Sequence, residues 1–113
     1  MKNILDFLAI KKIVFRVLEK IDPTLLKSRK KLEIYSGVNE KSFYGTIFVV
    51  NQKSRFVVKN AAEIIELEQR LESYKKHSYK HKYLIIGSPF CSHAKKYLIE
   101  NQWRVFEVSH DTL

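Results

Sequence analysis

Cys91 is the only cysteine among the 113 residues of this chain and is its strongest candidate nucleophile. It lies in GSPFCSHAKKYL, residues 87–98, where Ser88 as a cap and Pro89 at the first helical position predict a helix start. A thiol in the first turn of a helix ionises more readily than a free one. Because a single cysteine cannot form an internal disulfide, we expect a reducing, cytoplasmic setting for the protein.

Two stretches combine cations with aromatic rings. SYKKHSYKHKY, residues 73–83, interleaves lysines and histidines with tyrosines, and NQKSRFVVK, residues 51–59, adds three cations around a turn. Lysines neutralise phosphates and aromatic faces stack on unpaired bases, so this composition indicates a surface that follows a nucleic-acid backbone. The expected contacts are Lys53, Arg55, Lys59, Lys75, Lys76, Lys80 and Lys82, with Tyr79 as a stacking residue.

The overall charge points the same way. Lys and Arg number 21 and Asp and Glu number 12, which leaves a formal charge of +9. This balance indicates a polyanionic partner, DNA or RNA, although a solubilising surface would give the same count. Asp6, Lys11 and Lys12 interrupt the apolar N-terminal run, so neither a membrane partner nor an export signal is expected. His77 and His81 are four residues apart, but no third ligand is near in sequence and no metal site is predicted.

The N-terminal third of the chain carries a helical pattern. Apolar residues recur at three- and four-residue spacing from Ile4 to Ile21, opposite an arc of charged residues. Asp22-Pro23 ends this predicted amphipathic helix, since the residue before proline is steered out of the helical region. Its apolar face is the expected contact if the chain forms a homodimer or a larger complex.

Strands and helices alternate in the remainder of the chain. Strands are predicted over residues 31–38, 43–52 and 55–59, the last placing Arg55, Val57 and Lys59 on one face. Asn60 is the predicted cap of a helix that has Glu63 at its third position and two lysines at its end. A buried strand over 82–87, a helix ending near Asn101 and a strand over 103–108 complete one α/β domain, residues 1–113.

The resulting order, α-β-β-β-α-β-α-β with a mixed central sheet flanked by helices, resembles the PD-(D/E)xK, or restriction-endonuclease-like, superfamily. The closing stretch YLIIGSPFCSHAKKYLIENQWRVFEV, residues 83–108, is similar to the final strand-helix-strand of such folds. The resemblance implies a protein that binds or processes nucleic acid. Active members use Mg²⁺ held by carboxylates, because Mg²⁺ prefers hard oxygen ligands.

The catalytic motif of this superfamily is degenerate here. The third strand should end in an acid, any residue and a lysine, but the residue two positions before Lys59 is Val57. The second strand has no aspartate, and the nearest acid is Glu40 in the preceding turn. We therefore expect a binding protein without a cofactor. If the chain is instead an Mg²⁺-dependent endonuclease with migrated acids, its catalytic residues would be Glu33, Lys59 and Glu63.

Cys91 supports a further alternative. SPFCSHAKKYL followed by WRVFEV resembles the strand-cysteine-helix-strand opening of glutaredoxin-like proteins. The chain lacks a second cysteine at Cys-x-x-Cys spacing, and the 22 residues after Cys91 are too few for the rest of a glutathione cleft. Since Cys91 falls seven positions before Leu98, it is expected on the buried stripe of its helix, with Lys95 and Lys96 facing outward.

Overall fold

The computed structural model of the protein describes residue 8, residues 11–28 and residues 32–108. Its strands are β1 (Phe15–Ile21), β2 (Glu33–Asn39), β3 (Tyr44–Val50), β4 (His81–Ile86) and β5 (Trp103–Glu107). Helix α1 (Val58–Lys75) connects β3 to β4, and helix α2 (Ser92–Glu100) connects β4 to β5. A short 3-10 helix, Pro23–Leu26, lies between β1 and β2.

The five strands form one mixed sheet in the spatial order β1-β2-β3-β4-β5. The first three are joined as an antiparallel meander, and β3, β4 and β5 are parallel. Each parallel pair is connected through a helix, as parallel strands require. Residues 44–50 form the central strand of the sheet, and its side chains are buried on both faces from Gly45 onward, as the continuous apolar run predicts.

Each face of the sheet is covered by its own hydrophobic core. The helix-side core joins Phe48 and Leu84 to the inner faces of α1 and α2. The opposite-side core joins Ile47, Ile85 and Tyr83 to Leu8 and other residues outside the two helices. This division follows the two-residue period of strand side chains, and it determines which side chains can meet across the sheet.

The predicted N-terminal helix is wrong for residues 15–21, which form β1. Leu18 follows Phe15 by three positions, and Ile21 follows Leu18 by three, which imitates a helical period. A β-bulge between Phe15 and Val17 places Phe15 and Leu18 on the same face in spite of their odd spacing. Pairing with β2 satisfies the backbone hydrogen-bonding groups of this segment. Residues 1–7 and 9–10 of the prediction, and with them most of the proposed oligomer contact, lie outside the described residues.

The predicted strand over residues 55–59 is also wrong. Phe56 forms a single bridge with Phe90, and α1 begins two residues later at Val58. Asn60 is the third residue of the helix and not its cap; its side-chain Oδ1 accepts a hydrogen bond from the Val57 N–H at 2.9 Å. The helix itself is confirmed and ends at Lys75.

Helix α2 begins at Ser92, four residues after the predicted cap Ser88. The backbone over Pro89–Cys91 is held extended because Phe56 bonds to it on both sides, donating to the Pro89 carbonyl at 2.8 Å and accepting from the Cys91 N–H at 3.0 Å. Ser88 Oγ instead accepts from the Gln52 N–H at 2.7 Å. The predicted end of α2 is confirmed, since Asn101 is its C-terminal cap.

The described residues thus form a single α/β domain, and the predicted fold class is confirmed although two of the predicted elements are not. Three strands precede the α-β-α-β half, but the first of them is β1 and not residues 55–59. In the part of the chain that the structure describes, no helix is long and apolar enough to cross a membrane.

Candidate nucleic-acid interface

The seven cations predicted to contact nucleic acid do not form one surface. Lys53, Arg55 and Lys59 are exposed where β3 ends and α1 begins. At the other end of α1, Lys75 is the last helical residue, Lys76 is the C-terminal cap, and Lys80 lies just before the start of β4. Because an α-helix rises about 1.5 Å per residue, Lys59 and Lys75 are about 24 Å apart along α1. The predicted set therefore divides into two basic regions at opposite ends of the sheet.

Two of the predicted cations are neutralised within the fold. Lys75 Nζ lies 2.8 Å from Glu19 Oε1 on β1. Lys82 Nζ lies 3.5 Å from Glu68 Oε1 and 3.8 Å from Glu72 Oε2, both on α1, and the lysine is largely buried beneath that helix. Glu19 offsets the charge of Lys75, and Glu72, beside the buried Glu68, offsets that of Lys82, so neither lysine adds much to an anion-binding surface.

Tyr79 does not provide a stacking face. Its residue surface is only 5% exposed, and its hydroxyl lies 2.6 Å from Ser36 Oγ in a buried hydrogen bond. Burial raises the pKa of this phenol to about 12. The ring belongs to the helix-side core, so the predicted role as a stacking residue does not fit its position.

A cleft of about 340 Å³ opens at the end of the sheet where β4 and β5 begin. Four separate parts of the chain build it: the segment just before β1, the turn between β2 and β3, the start of β4, and one residue of β5. We call this the cationic cleft. Its lining includes Lys12, Ile13, Val14, Asn39, Glu40, Lys41, Phe43, Lys80, His81, Tyr83 and Arg104.

Four cations of this cleft have no acidic partner in the part of the chain that the structure describes. Lys12, Lys41, Lys80 and Arg104 form no ion pair with any residue that the structure describes. Among the described lining residues, Glu40 is the one carboxylate. Unlike Lys75 and Lys82, these cations leave a net positive field in a concave site, where field lines are focused.

Aromatic rings line the cationic cleft and continue beside it. The Lys80 ammonium lies 3.7 Å from the centre of the Phe43 ring, and the Arg104 guanidinium lies 5.7 Å from the centre of Tyr83. Next to the cleft, Tyr44 stacks on His77 with ring centres 3.7 Å apart. Phe43 and Tyr44 are 38% and 44% exposed, so aromatic faces are available here to an incoming base.

The turn that carries Lys41 and Phe43 is held in one conformation. Asn39 Oδ1 accepts hydrogen bonds from the Lys41 and Phe43 backbone N–H groups, each at 2.9 Å. Ser42 adopts a left-handed conformation with φ of 67°, and its hydroxyl accepts a hydrogen bond from Arg16 on β1 at 3.1 Å. One wall of the cleft is therefore organised before any ligand arrives.

His81 responds to the positive field of the cleft. Partial burial lowers its pKa below the ordinary value, and the cations Lys80, Arg104 and Lys41 lower it further, in that order. The ring packs on edge against Phe43 and lies parallel to Tyr83. Cations from three different chain segments therefore act on this one ring.

Lys12, Lys41 and Arg104 are not among the predicted contacts, although Lys80 is. The signal that would have found Arg104 is strand pairing, because β5 places it directly beside Tyr83 on β4. Lys41 would follow from recognising the β2–β3 turn as a neighbour of the start of β4, since Gly45 pairs with His81. Both relationships link residues far apart in sequence.

Cys91 caps α2 at the opposite end of the sheet. It is half-buried against the helix-side core, in keeping with its predicted inward position. Hydrogen bonds from the backbone N–H groups of Ala94 and His93 lower the pKa of its thiol. The sulfur lies 3.9 Å from His93 Nδ1. Its position is that of a helix cap with a more acidic thiol than usual.

The three residues proposed for catalysis are not brought together. Tyr35 packs on the opposite-side core and donates a hydrogen bond to Glu33 Oε1 at 2.8 Å, so Glu33 lies on that face of the sheet. Lys59 and Glu63 lie on α1, which packs on the other face. Glu33 and Glu63 therefore do not fit a shared Mg²⁺ site. Across residues 8, 11–28 and 32–108, no three His, Cys, Asp or Glu side chains converge as metal ligands.

The observed end of the third strand also changes which residues correspond to the catalytic motif of the superfamily. The third strand ends at Val50 and is followed by Asn51, Gln52 and Lys53. Asn51 therefore stands two residues before a lysine, where the superfamily pattern has an acid. An amide carries no charge and cannot replace a carboxylate in neutralising a divalent cation.

Comparison with known proteins identifies the fold. No protein-family profile matches the sequence, and no curated protein matches it. EndoMS in its apo form superposes with a TM-score of 0.53 at 11% identity, covering 86% of this chain and 38% of that one. A repair endonuclease from Pyrococcus abyssi superposes with a TM-score of 0.52 at 13% identity, covering 81% of this chain and 38% of that one. The protein therefore has a restriction-endonuclease-like fold, as predicted, and spans 38% of the length of each of these structures.

Proposed function

We propose that this protein binds nucleic acid through the cationic cleft and that it does so without an intact metal-dependent catalytic site. The observation that carries the proposal is the convergence of Lys12, Lys41, Lys80 and Arg104, none of them ion-paired within the described residues, in a cleft lined by aromatic rings. Cations bind phosphates with a strong salt dependence, and exposed rings add stacking on unpaired bases.

The fold is consistent with this proposal but does not establish it. Both similar structures are endonucleases by name, but one fold serves many functions and the site must decide. The exposed rings of Phe43 and Tyr44 favour a single nucleic-acid strand, whose base faces are accessible, over a continuous duplex. The expected ligand is single-stranded DNA or RNA, or a duplex with a single-stranded part.

The binding proposal is tested with two triple variants that remove the same charge. The cleft variant is Lys41→Ala/Lys80→Ala/Arg104→Ala, and the matched control is Lys53→Ala/Arg55→Ala/Lys59→Ala at the far end of α1. Fluorescence anisotropy is measured with labelled DNA and RNA oligonucleotides over a series of salt concentrations. Melting curves verify that both variants remain folded.

We expect the cleft variant to lose affinity strongly and the control to change little. Each lost phosphate contact should reduce the slope of log affinity against log salt by about 0.7 on a single strand. Equal losses in the two variants would contradict the cleft as the interface. Wild-type affinity that does not depend on salt would contradict nucleic-acid binding by these cations altogether.

The absence of catalysis is tested separately. We expect single- and double-stranded substrates to remain intact over long incubation with Mg²⁺ or Mn²⁺, because Asn51 replaces the acid of the motif and Glu33 faces away from α1. Metal-dependent cleavage that disappears in Lys59→Ala/Glu63→Ala would instead establish the endonuclease alternative. Binding that persists in EDTA supports a binding role.

A further inference from the structure

The cationic cleft has the dimensions of a site for one small group. Its volume of about 340 Å³ is at the lower end of the range of roughly 300–1,000 Å³ that is typical of ligand pockets. It is bounded by the ordered β2–β3 turn on one side and by residues 12–14 on another. Such a cleft accommodates a single nucleotide, whereas the interior of a nucleic-acid strand requires a groove that is open at both ends.

Its charge exceeds what one internal phosphate requires. A phosphodiester carries one negative charge, while a terminal phosphomonoester carries about −1.5 to −2 at neutral pH and presents three acceptor oxygens. Against this, the cleft offers three flexible ammonium groups and the planar guanidinium of Arg104, with Glu40 as its one carboxylate among the described lining residues. A compact dianion matches this density of cations better than a monoanion does.

The arrangement of rings and cations fits a base followed by a phosphate. Phe43 presents an exposed ring within the cleft, and the Lys80 ammonium lies 3.7 Å from its centre. Tyr83 is buried and holds its ring beside Arg104. A base that packs on Phe43 therefore brings its phosphate next to the cations. His81 can add a hydrogen bond to a phosphate oxygen from the floor of the site.

We infer that the cationic cleft binds the terminal nucleotide of a strand through its phosphomonoester group, and so recognises phosphorylated ends. This inference rests on the proposed function, which it makes more specific. The shared chemistry is a nucleoside monophosphate unit, which could belong to a nucleic-acid end or to a free nucleotide. The experiment separates these sources.

Anisotropy is measured with three oligonucleotides of one sequence, bearing a 5′-phosphate, a 3′-phosphate or two hydroxyl ends. A hydroxyl-ended oligonucleotide extended until its total charge matches the phosphorylated ones controls for non-specific attraction. Adenosine 5′-monophosphate and adenosine are used as competitors, and each is also titrated into the protein alone. The variant Lys41→Ala/Arg104→Ala is compared with the charge-matched Lys53→Ala/Arg55→Ala.

One additional charge-assisted contact corresponds to about tenfold in affinity, so we expect one phosphorylated end to bind about tenfold more tightly than the charge-matched hydroxyl end. The preference should disappear in Lys41→Ala/Arg104→Ala and remain in the control variant. Equal affinity for all ends would overturn the inference and leave nucleic-acid binding intact. If the monophosphate binds but no oligonucleotide does, the phosphomonoester site stands and the proposed function fails; if neither binds, both fail.

Discussion

Glu68 is a buried carboxyl group whose protonation should control the stability of the fold. It lies on α1, is 2% exposed, and points towards β4, where Lys82 Nζ is 3.5 Å from its Oε1. Its Oε2 has no hydrogen-bond partner among the described residues. Burial, together with the neighbouring Glu72 carboxyl, raises the pKa of Glu68 to about 8, and Lys82 only partly opposes this.

The sign of the resulting pH dependence follows from proton counting. In the unfolded chain Glu68 titrates near its ordinary value of 4.5, whereas in the folded protein it keeps its proton to about pH 8. Between these values the folded state holds the extra proton, so the free energy of unfolding falls as pH rises, by about 1.4 kcal/mol per pH unit. From about pH 5.5 to 7.5 this carboxyl alone should cost the folded state about 3 kcal/mol.

Glu68→Gln removes the titration and keeps the size and hydrogen-bonding capacity of the side chain. We expect the variant to lack this slope, and so to gain about 3 kcal/mol relative to the wild type over the same range. Urea unfolding at several pH values measures this, with fluorescence of the buried Trp103 and circular dichroism as probes. The matched control is Glu66→Gln, which changes an exposed carboxyl of the same helix that pairs with Arg70 at 2.7 Å.

The opposite result is expected if the ion pair with Lys82 outweighs burial. Glu68 would then be ionised at neutral pH and would stabilise the fold there. In that case Glu68→Gln would be less stable than the wild type by a constant amount from about pH 5.5 to 7.5. Parallel pH profiles for Glu68→Gln, Glu66→Gln and the wild type would equally refute a raised pKa.

Three further predictions concern the contact between β1 and β2, the core and the thiol. Gly37→Ala should lower the free energy of unfolding by about 1–3 kcal/mol, because the new Cβ would overlap the carbonyl oxygen of Val17; thermal unfolding checks this. Tyr79→Phe should cost about 1–2 kcal/mol, since Ser36 loses its buried partner, without weakening nucleic-acid binding; weaker binding would restore Tyr79 as a contact. Alkylation of Cys91 should reach its half-maximal rate at a lower pH in the folded protein than in the urea-unfolded chain, because backbone N–H groups of α2 lower its thiol pKa; equal midpoints would contradict the helix-cap geometry.

The elements that the sequence predicts well are those with strong local signals. Helix α1 carries an apolar stripe with complementary charge at its end, and β4 is a short apolar run buried by its neighbours on both sides. The strand over residues 103–107 and the end of α2 at Asn101 were likewise predictable. Each signal involves residues within a few positions of one another, so no knowledge of distant partners was required.

The elements that the sequence mispredicts depend on partners that are distant along the chain. The segment 15–21 has a helical spacing of apolar residues, and only its pairing with β2 and the bulge near Phe15 make it a strand. Residues 55–59 have the composition of a strand, yet Phe56 finds a single bridge, to Phe90, and the chain turns into α1. Tertiary pairing overrides local propensity in both cases.

For the candidate site, composition alone predicted a polyanionic partner, because net charge and the mixture of lysines with aromatic residues are properties of the whole chain. Only the tertiary structure decided which cations can act on it. Glu19 on β1 offsets the charge of Lys75 and Glu72 on α1 offsets that of Lys82, whereas strand pairing gathers Lys41, Lys80 and Arg104 from three separate segments. The field at a point depends on distances between charges, and these distances are set by sheet order and register, which no local sequence pattern encodes.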